Sequence, residues 1–324
     1  MKSRDAHQSF QQFAHVKPCM VPPDPNAAAP KVLPTIGLLV SALISGLYWL
    51  PLRHLQSFGF QGVFAAAIIA VLAGLPLLPP LFRRRTRADW GDLARIGFLV
   101  GGGYALYSAS LVLTDVARAV LLFYLAPVWT TVLEILILHQ SLTKKRLLSI
   151  VLGLVGLAVI LAEGAGNSSR VDGINIGDVM ALTAGVIWSF GLLTIFRRKD
   201  IRTREQIAAQ AGGAMVTAIL VLPLGWADSH PPELAAILAA APWFLAIAFL
   251  LTAPMWGLSL WASRYIPPAR ASIIFMMEVC IGVGSAAALS GYQLHWNEYL
   301  GTALVLAAAG IELIRMKTRK MLPL

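Results

Sequence analysis

Ten apolar runs, each near the roughly 20 residues that a helix needs to cross a bilayer, constrain this chain more than any other feature. They fall at about 33–52, 60–82, 93–113, 116–138, 146–163, 174–196, 207–225, 242–262, 267–289 and 296–315. Every backbone polar group in hydrocarbon must be paired within its own segment, so runs of this length read as spanning helices. Composition agrees. Only 13% of the residues are charged, against about 25% in a soluble domain. The mean hydropathy is +0.71.

The basic residues test this division independently. If the runs are threaded alternately through a membrane, 23 Lys and Arg fall on one side and three (Arg53, Arg118, Arg170) on the other. By the positive-inside rule, the rich side and both termini are cytoplasmic. The formal net charge of +10 is therefore a matter of topology and anionic lipid headgroups, not of nucleic acid. Residues 1–32 hold no apolar core of a signal peptide and read as a flexible cytoplasmic tail. Residues 316–324 read as a second one. Trp90, Trp226, Trp243 and Trp296 fall at span ends, where amphipathic rings favour the interface. Cys19 and Cys280 form neither a disulfide framework nor a metal site.

The two halves repeat weakly. Gly46-Leu47-Tyr48-Trp49 in the first run matches Gly185-Val186-Ile187-Trp188 in the sixth. Ala117-Arg118-Ala119 leading to Phe123 matches Ala269-Arg270-Ala271 leading to Phe275, and the same offset sets Tyr104 opposite Trp256. Five spans per half is an odd number, so the second copy (174–315) would enter from the side opposite to the first (33–163). The loops agree with that inversion: the second-to-third loop carries five basic residues and its counterpart at 226–241 none. Inverted repeats are typical of secondary transporters, whose sites lie near the midplane between the halves.

The ten-run plan, the paired Gly-x-x-Trp and the segment from Ala117 through Ala126-Pro127-Val128 to Leu161 resemble the drug/metabolite transporter superfamily, EamA type. The resemblance covers nearly all of the chain after the tail. It implies an all-α integral membrane protein of ten helices in two inverted repeats around a central cavity, in a bacterial inner membrane. The first four spans of each half would bound the cavity. Two places depart from the family pattern. His139-Gln140 and Ser290-Gly291 stand where Gly-Glu is common, and Glu278 stands close to the place of a proline early in the ninth span.

No catalytic motif is present: there is no Walker loop, no His-x-x-x-His pair and no Gly-x-Ser-x-Gly elbow. The six His are scattered, against a lipid-modifying enzyme. The chain therefore reads as no enzyme, with no cofactor and no metal. It cannot drive transport with ATP by itself, and no ATP-binding subunit is implied. Gly97 and Gly101–Gly103 lie in an apolar run and suit close helix packing.

What remains are polar and aromatic stripes at helical spacing. The candidate cavity residues are Tyr48, Trp49, Tyr104, Tyr107, Phe123, Trp188, Trp256, Ser259, Phe275 and Glu278. Hydroxyls such as Ser259 have an ordinary alternative, bonding their own helix backbone. The repeat relation of Trp49 and Trp188 suggests a paired cavity or gate role. Glu278, deep in its run, is the candidate for cation recognition or proton coupling, against a purely structural protonated acid. Glu134 near a span end reads equally as solvated, and Asp178, Arg118, Arg264, Arg270 and Glu312 as terminal charges. Pro51, Pro127 and Pro254 are candidate hinges or gates. No Lys or Arg lies deep in a run, which disfavours phosphorylated cargo. The expected partners are membrane lipids, protons and a small-molecule substrate. An amino acid fits best, in the manner of the YddG-type exporters of aromatic amino acids within the superfamily. Drugs, nucleosides and other metabolites stay open.

Overall fold

The computed structural model describes residues 32–60, 62–82, 87–114, 116–162, 174–225, 233–290 and 295–318. The N-terminal tail, most of the C-terminal tail, Trp226 and Arg83–Arg85 lie outside them. Among the described residues the chain is predominantly helical, with no strand. Five helical stretches are long and apolar enough to cross a membrane: Val32–Gln56, Arg118–Leu138, Ile176–Arg197, Ala235–Ser263 and Pro268–Leu289. Phe64–Leu77 is apolar and shorter. Lys144–Leu161 and Thr203–Val221 open on charged turns.

The first apolar run folds as α1 (Val32–Gly46) and α2 (Trp49–Gln56), broken at Leu47–Tyr48. Next come α3 (Gly62–Gly74), α4 (Arg87–Ile96), a π-helical stretch Gly97–Gly102 and α5 (Gly103–Leu113). The fourth run is α6 (Val116–Phe123) and α7 (Ala126–Leu138), and the fifth is α8 (Lys144–Leu161). Beyond them lie α9 (Ile176–Arg197), α10 (Thr203–Val221), α11 (Leu234–Ala246), a second π stretch Ile247–Thr252 and α12 (Ala253–Ser263). The last are α13 (Pro268–Phe275), α14 (Met277–Ser290) and α15 (Trp296–Thr318).

The irregularities have local causes. A proline lacks its N–H and its ring clashes with the carbonyl four residues back, so the ladder fails just before it. Pro51, Pro127 and Pro254 obey this rule. Their clashing partners are Leu47 at the first break, Phe123 at the second and Leu250 inside the π stretch. The break at Met276, between α13 and α14, has no proline behind it.

Small residues set the tightest crossings. A Cβ on Gly101 would collide with the Gln210 carbonyl, and one on Gly213 with the Gly97 carbonyl, so α10 crosses the π stretch backbone to backbone. The α8–α15 pair closes in the same way at Gly156 and Gly301. Helix α1 lies against α12 and α14, while α9 lies against α5, α6 and α7. Trp90 and Trp296 are exposed in the first turns of α4 and α15, whereas Trp243, also exposed, lies inside the stretch Ala235–Ser263 and not at its end.

The end of the bundle that carries the basic loops is bound by ion pairs. Glu134 is fully buried, contrary to a solvated role, and pairs with Arg146 at 2.5 Å. Arg146 also faces Glu312 at 4.0 Å, and Arg270 donates to Glu312 at 3.1 Å. The other Glu134 oxygen accepts the Ala269 N–H at 2.8 Å, meeting one of the free donors in the first turn of α13. Arg264 donates to Gln206 and to the carbonyls of Lys199 and Ile201. Arg198 pairs with Asp92 and Asp200. At the opposite end Asp178 accepts from Arg118 at 2.6 Å and from Thr114 at 2.7 Å. Asp178 with Arg118 and Arg270 with Glu312 are thus paired across helices, and Arg264 is bonded to Gln206 and two carbonyls, so these span-end charges are held within the protein instead of snorkelling.

Candidate functional site

Most of the sequence-predicted residues converge where the broken helices meet. Glu278 is the second residue of α14, the register place that Pro127 holds in α7. A carboxylate in a first turn also faces the positive end of the helix dipole. Ser45 donates to one Glu278 oxygen at 2.5 Å and the Tyr124 hydroxyl donates to the other. Among the described residues no ion pair includes Glu278. It is an acid served by hydroxyls alone.

Aromatic rings enclose this acid. Tyr107 stacks on Phe123 at 4.0 Å between centroids, and Phe123 meets Tyr124 edge-on at 5.3 Å. Trp188 lies between Phe123 at 6.3 Å and Phe275 at 6.0 Å. On the far side Tyr104 meets Trp256 edge-on at 5.5 Å. The Tyr48 hydroxyl shares a hydrogen bond with Thr252 at 2.7 Å, one turn before Trp256. Trp49 donates its indole N–H to Ser285 at 2.9 Å, two turns on from Glu278 along the same face of α14.

Two glycines allow this convergence. A Cβ on Gly46 would lie 2.6 Å from the Glu278 carbonyl, and one on Gly185 would lie 2.7 Å from the Phe123 carbonyl. The Gly of each Gly-x-x-Trp therefore seats its helix against a broken neighbour, α1 on α14 and α9 on the α6–α7 break. The Trp then projects one turn further on. Trp49 and Trp188 do not touch through their rings; the first is tied by a hydrogen bond and the second by ring contacts.

Some expectations resolve differently. Ser259 donates to the Trp256 carbonyl of its own helix, the ordinary alternative for a hydroxyl. Phe123 and Trp256 are buried packing residues. Pro51, Pro127 and Pro254 mark the breaks and make none of the polar contacts of the site. A small cleft between α3, α5 and α10, lined by Ala66, Ala70, Ser108 and Ala218, touches only Tyr104 of the expected set. Its lining is mostly alanine, with Tyr104, Ser108 and Val221, and holds no ionisable acid or base other than the Tyr104 phenol.

Tyr124 was not singled out from the sequence, although it adjoins Phe123 and lies one helical turn before Val128. The hydroxyl beside an expected cavity aromatic was the available signal. At the basic-loop end, Arg198 holds the Asp200 carboxyl below the usual carboxylate range.

The arrangement suits a ligand with a positive group and an apolar or aromatic body. The carboxylate supplies the counter-charge and the rings supply both apolar area and cation–π faces.

Comparison with known proteins bears on the fold and the class. The EamA-like transporter family pattern matches this chain over residues 33–162 and again over 175–313. An uncharacterized transporter of Archaeoglobus fulgidus is 26% identical over 278 residues, which are 81% of this chain and 95% of that protein. The uncharacterized transporter YyaM of Bacillus subtilis is 23% identical over 176 residues, 54% of this chain and 56% of that one, so the chain spans little more than half of that relative. A crystal structure with 17% identity superposes with a TM-score of 0.65, covering 87% of this chain and 98% of that one; the likeness is one of fold.

Proposed function

Since the chain belongs to the EamA-like transporter family, we propose that it is a ten-span secondary exporter of small metabolites, chiefly amino acids with aromatic or apolar side chains. Under this reading residues 33–163 and 174–315 are inverted repeats, both termini are cytoplasmic, and the protein sits in a bacterial inner membrane. Several observations support the repeat. The family pattern matches twice. The breaks at Phe123 and Phe275 and the two π stretches fall at corresponding places. The contacts of α1 with α12 and α14 have their counterparts in those of α9 with α5 and the α6–α7 pair. The 23-to-3 distribution of basic residues supports the orientation.

One observation carries the cargo class: a mid-bundle carboxylate, bound only by hydroxyls and ringed by aromatics. The ammonium of an amino acid would bind Glu278 and its side chain would lie among Tyr107, Phe123, Trp188 and Phe275. A proton and an ammonium cannot both occupy the same carboxylate. Alternating access with exchange of one for the other would therefore couple efflux to the proton gradient.

The test is flux of labelled L-phenylalanine in proteoliposomes, with and without an imposed proton gradient. Gradient-stimulated flux is expected, and Glu278→Gln should abolish the stimulation while the protein stays folded. Absence of flux for every amino acid tried would remove the cargo class. Stimulation that persists in Glu278→Gln would remove the coupling role.

A further inference from the structure

The two Gly-x-x-Trp tryptophans lie on opposite sides of Glu278 along the bundle axis, and cross-helix contacts fix that order. Ser45 binds Glu278, Gly46 abuts the Glu278 carbonyl, and Trp49 reaches Ser285, so the α1–α2 span runs parallel to α14. Trp49 therefore sits two turns beyond Glu278. A second set of contacts runs the other way. Tyr124 meets Phe275 and Glu278, Thr130 meets Ser272, and Glu134 meets Ala269, so α7 follows α13 back toward the basic-loop end. Helix α9 runs parallel to α7, with Gly185 against the Phe123 carbonyl and Ser189 donating to the Ala126 carbonyl at 3.2 Å. Trp188 thus lies at the level of Ala126, on the basic-loop side of Glu278, where its ring meets Phe123 and Phe275. The carboxylate lies between the two indoles.

The two indoles are fastened differently. Ser285 gives its proton to the Gly282 carbonyl at 2.9 Å and accepts the Trp49 N–H. Tyr48, beside Trp49, is bonded to Thr252 at 2.7 Å. Both bonds join the first half to the second at the Leu47–Tyr48 break, where α2 can pivot. Trp188 instead lies inside the unbroken α9, and its partners end at breaks: Phe123 is the last residue of α6 and Phe275 of α13. Each contact therefore joins a continuous helix to a broken one. Trp49, Trp188, Phe275 and Ser285 are only half-buried, so their side chains have room to leave these contacts.

We propose that these tryptophans are the two gates of the path to Glu278. Trp49 closes it toward the end opposite the basic loops, and Trp188 closes it toward the basic-loop end. The assignment rests on the transporter reading with Glu278 as its site, and not on the identity of the cargo. The inverted repeat supplies the logic: one Gly-x-x-Trp, copied into an inverted half, sets its ring on the other side of the midplane. Alternating access requires one contact to open while the other holds. Both are made in this structure, an occluded arrangement.

The experiment reads access to the acid from each side without any cargo. The reporter is Ser45→Cys, whose side chain lies against Glu278, in the full-length chain carrying Cys19→Ser and Cys280→Ala. Its rate of labelling by a membrane-impermeant cationic methanethiosulfonate is measured in right-side-out and in inverted membrane vesicles. Trp49→Ala is expected to raise the rate roughly threefold to tenfold from the extracellular side alone. Trp188→Ala should raise it by a similar factor from the cytoplasmic side alone. Ser285→Ala leaves the indole in place and removes its acceptor, so it should repeat the first result in part; Phe275→Leu should repeat the second. These two keep the test decisive should a tryptophan variant fail to fold. A role confined to packing would lower thermal stability with no preference for a side. Gains from both sides in every variant, or no gain in any, would overturn the gates. The same pattern with the sides exchanged would keep the gates and overturn the membrane orientation proposed above. One-sided gains in a protein that moves no amino acid would keep the gates and remove only the cargo class.

Discussion

Replacing Glu134 by Gln should be among the most destabilising single changes in the chain, and its cost can be worked from the contacts. Glu134, Arg146, Arg270 and Glu312 form a buried set of two acids and two bases that is neutral as a whole. Glu134→Gln leaves a net positive charge there, with Arg146 retaining only Glu312 at 4.0 Å, too far for a hydrogen bond. Breaking a buried pair on one side costs about 3–5 kcal/mol. For domains of 150–250 residues about 2–4 °C accompany each kcal/mol, so a fall in melting temperature on the order of 6–20 °C is expected. The amide oxygen still accepts the Ala269 N–H. Glu134→Ala loses that bond too and should cost a further ~1–3 kcal/mol. The double variant Glu134→Gln/Arg146→Met removes both charges and leaves Arg270 with Glu312, so it should recover to within about 1 kcal/mol of the parent. Thermal unfolding of the three variants in one detergent, followed by tryptophan fluorescence, measures all of this. A Glu134→Gln cost below about 1 kcal/mol, or a double variant as unstable as the sum of its parts, would refute the reasoning.

Two smaller perturbations follow from local geometry. His139 ends α7 with φ of +50°, a left-handed conformation that costs a non-glycine residue roughly 1–2 kcal/mol. His139→Gly should therefore stabilise the protein by up to about 1 kcal/mol once the glycine's greater unfolded-state entropy is subtracted, read as a rise in melting temperature. Asp200 is held below the usual carboxylate range by Arg198. Its stabilisation is present above the unfolded value near 4 and is lost as pH falls through the lower folded value. Because the group is 62% exposed the effect is under about 1 kcal/mol. Melting curves of Asp200→Asn and the parent should differ slightly at neutral pH and converge as the pH falls below the unfolded value and through the lower folded one.

Periodicity and proline chemistry made the helix plan legible, since each apolar run has its helical counterpart and Pro51, Pro127 and Pro254 each sit just after an irregularity. The break at Met276 was not legible, because no proline causes it. Charge partners were illegible for a different reason. Glu134, Arg146, Arg270 and Glu312 each look like terminal residues in their own run, and only the packing of α7, α8, α13 and α15 makes them one set. Two acids at the ends of apolar runs were a usable hint, as a buried acid needs a cation. Gln206, in an alanine-rich run, was a similar hint: a buried amide on an apolar helix needs partners, and it finds them in Arg264 and the Arg198 carbonyl. The aromatic set around Glu278 was largely readable, whereas the use of Ser259 within its own helix could only be settled by geometry.

The proposed repeat sharpens what Glu278 does. Pro127 and Glu278 hold the same position in the first turns of α7 and α14. In the first half the proline ring breaks the helix and no polar side chain enters from that turn. In the second half the break survives without proline, and its first turn carries the one acid in the aromatic ring. A helix start supplies unpaired N–H groups that favour a negative side chain there. One backbone break thus serves two ends: symmetric, it lets both halves bend alike; asymmetric in side chain, it places a single charge off the pseudo-axis. A site with one acid on one half reads a ligand by one end, so a second polar contact must come from elsewhere for the ligand to have an orientation.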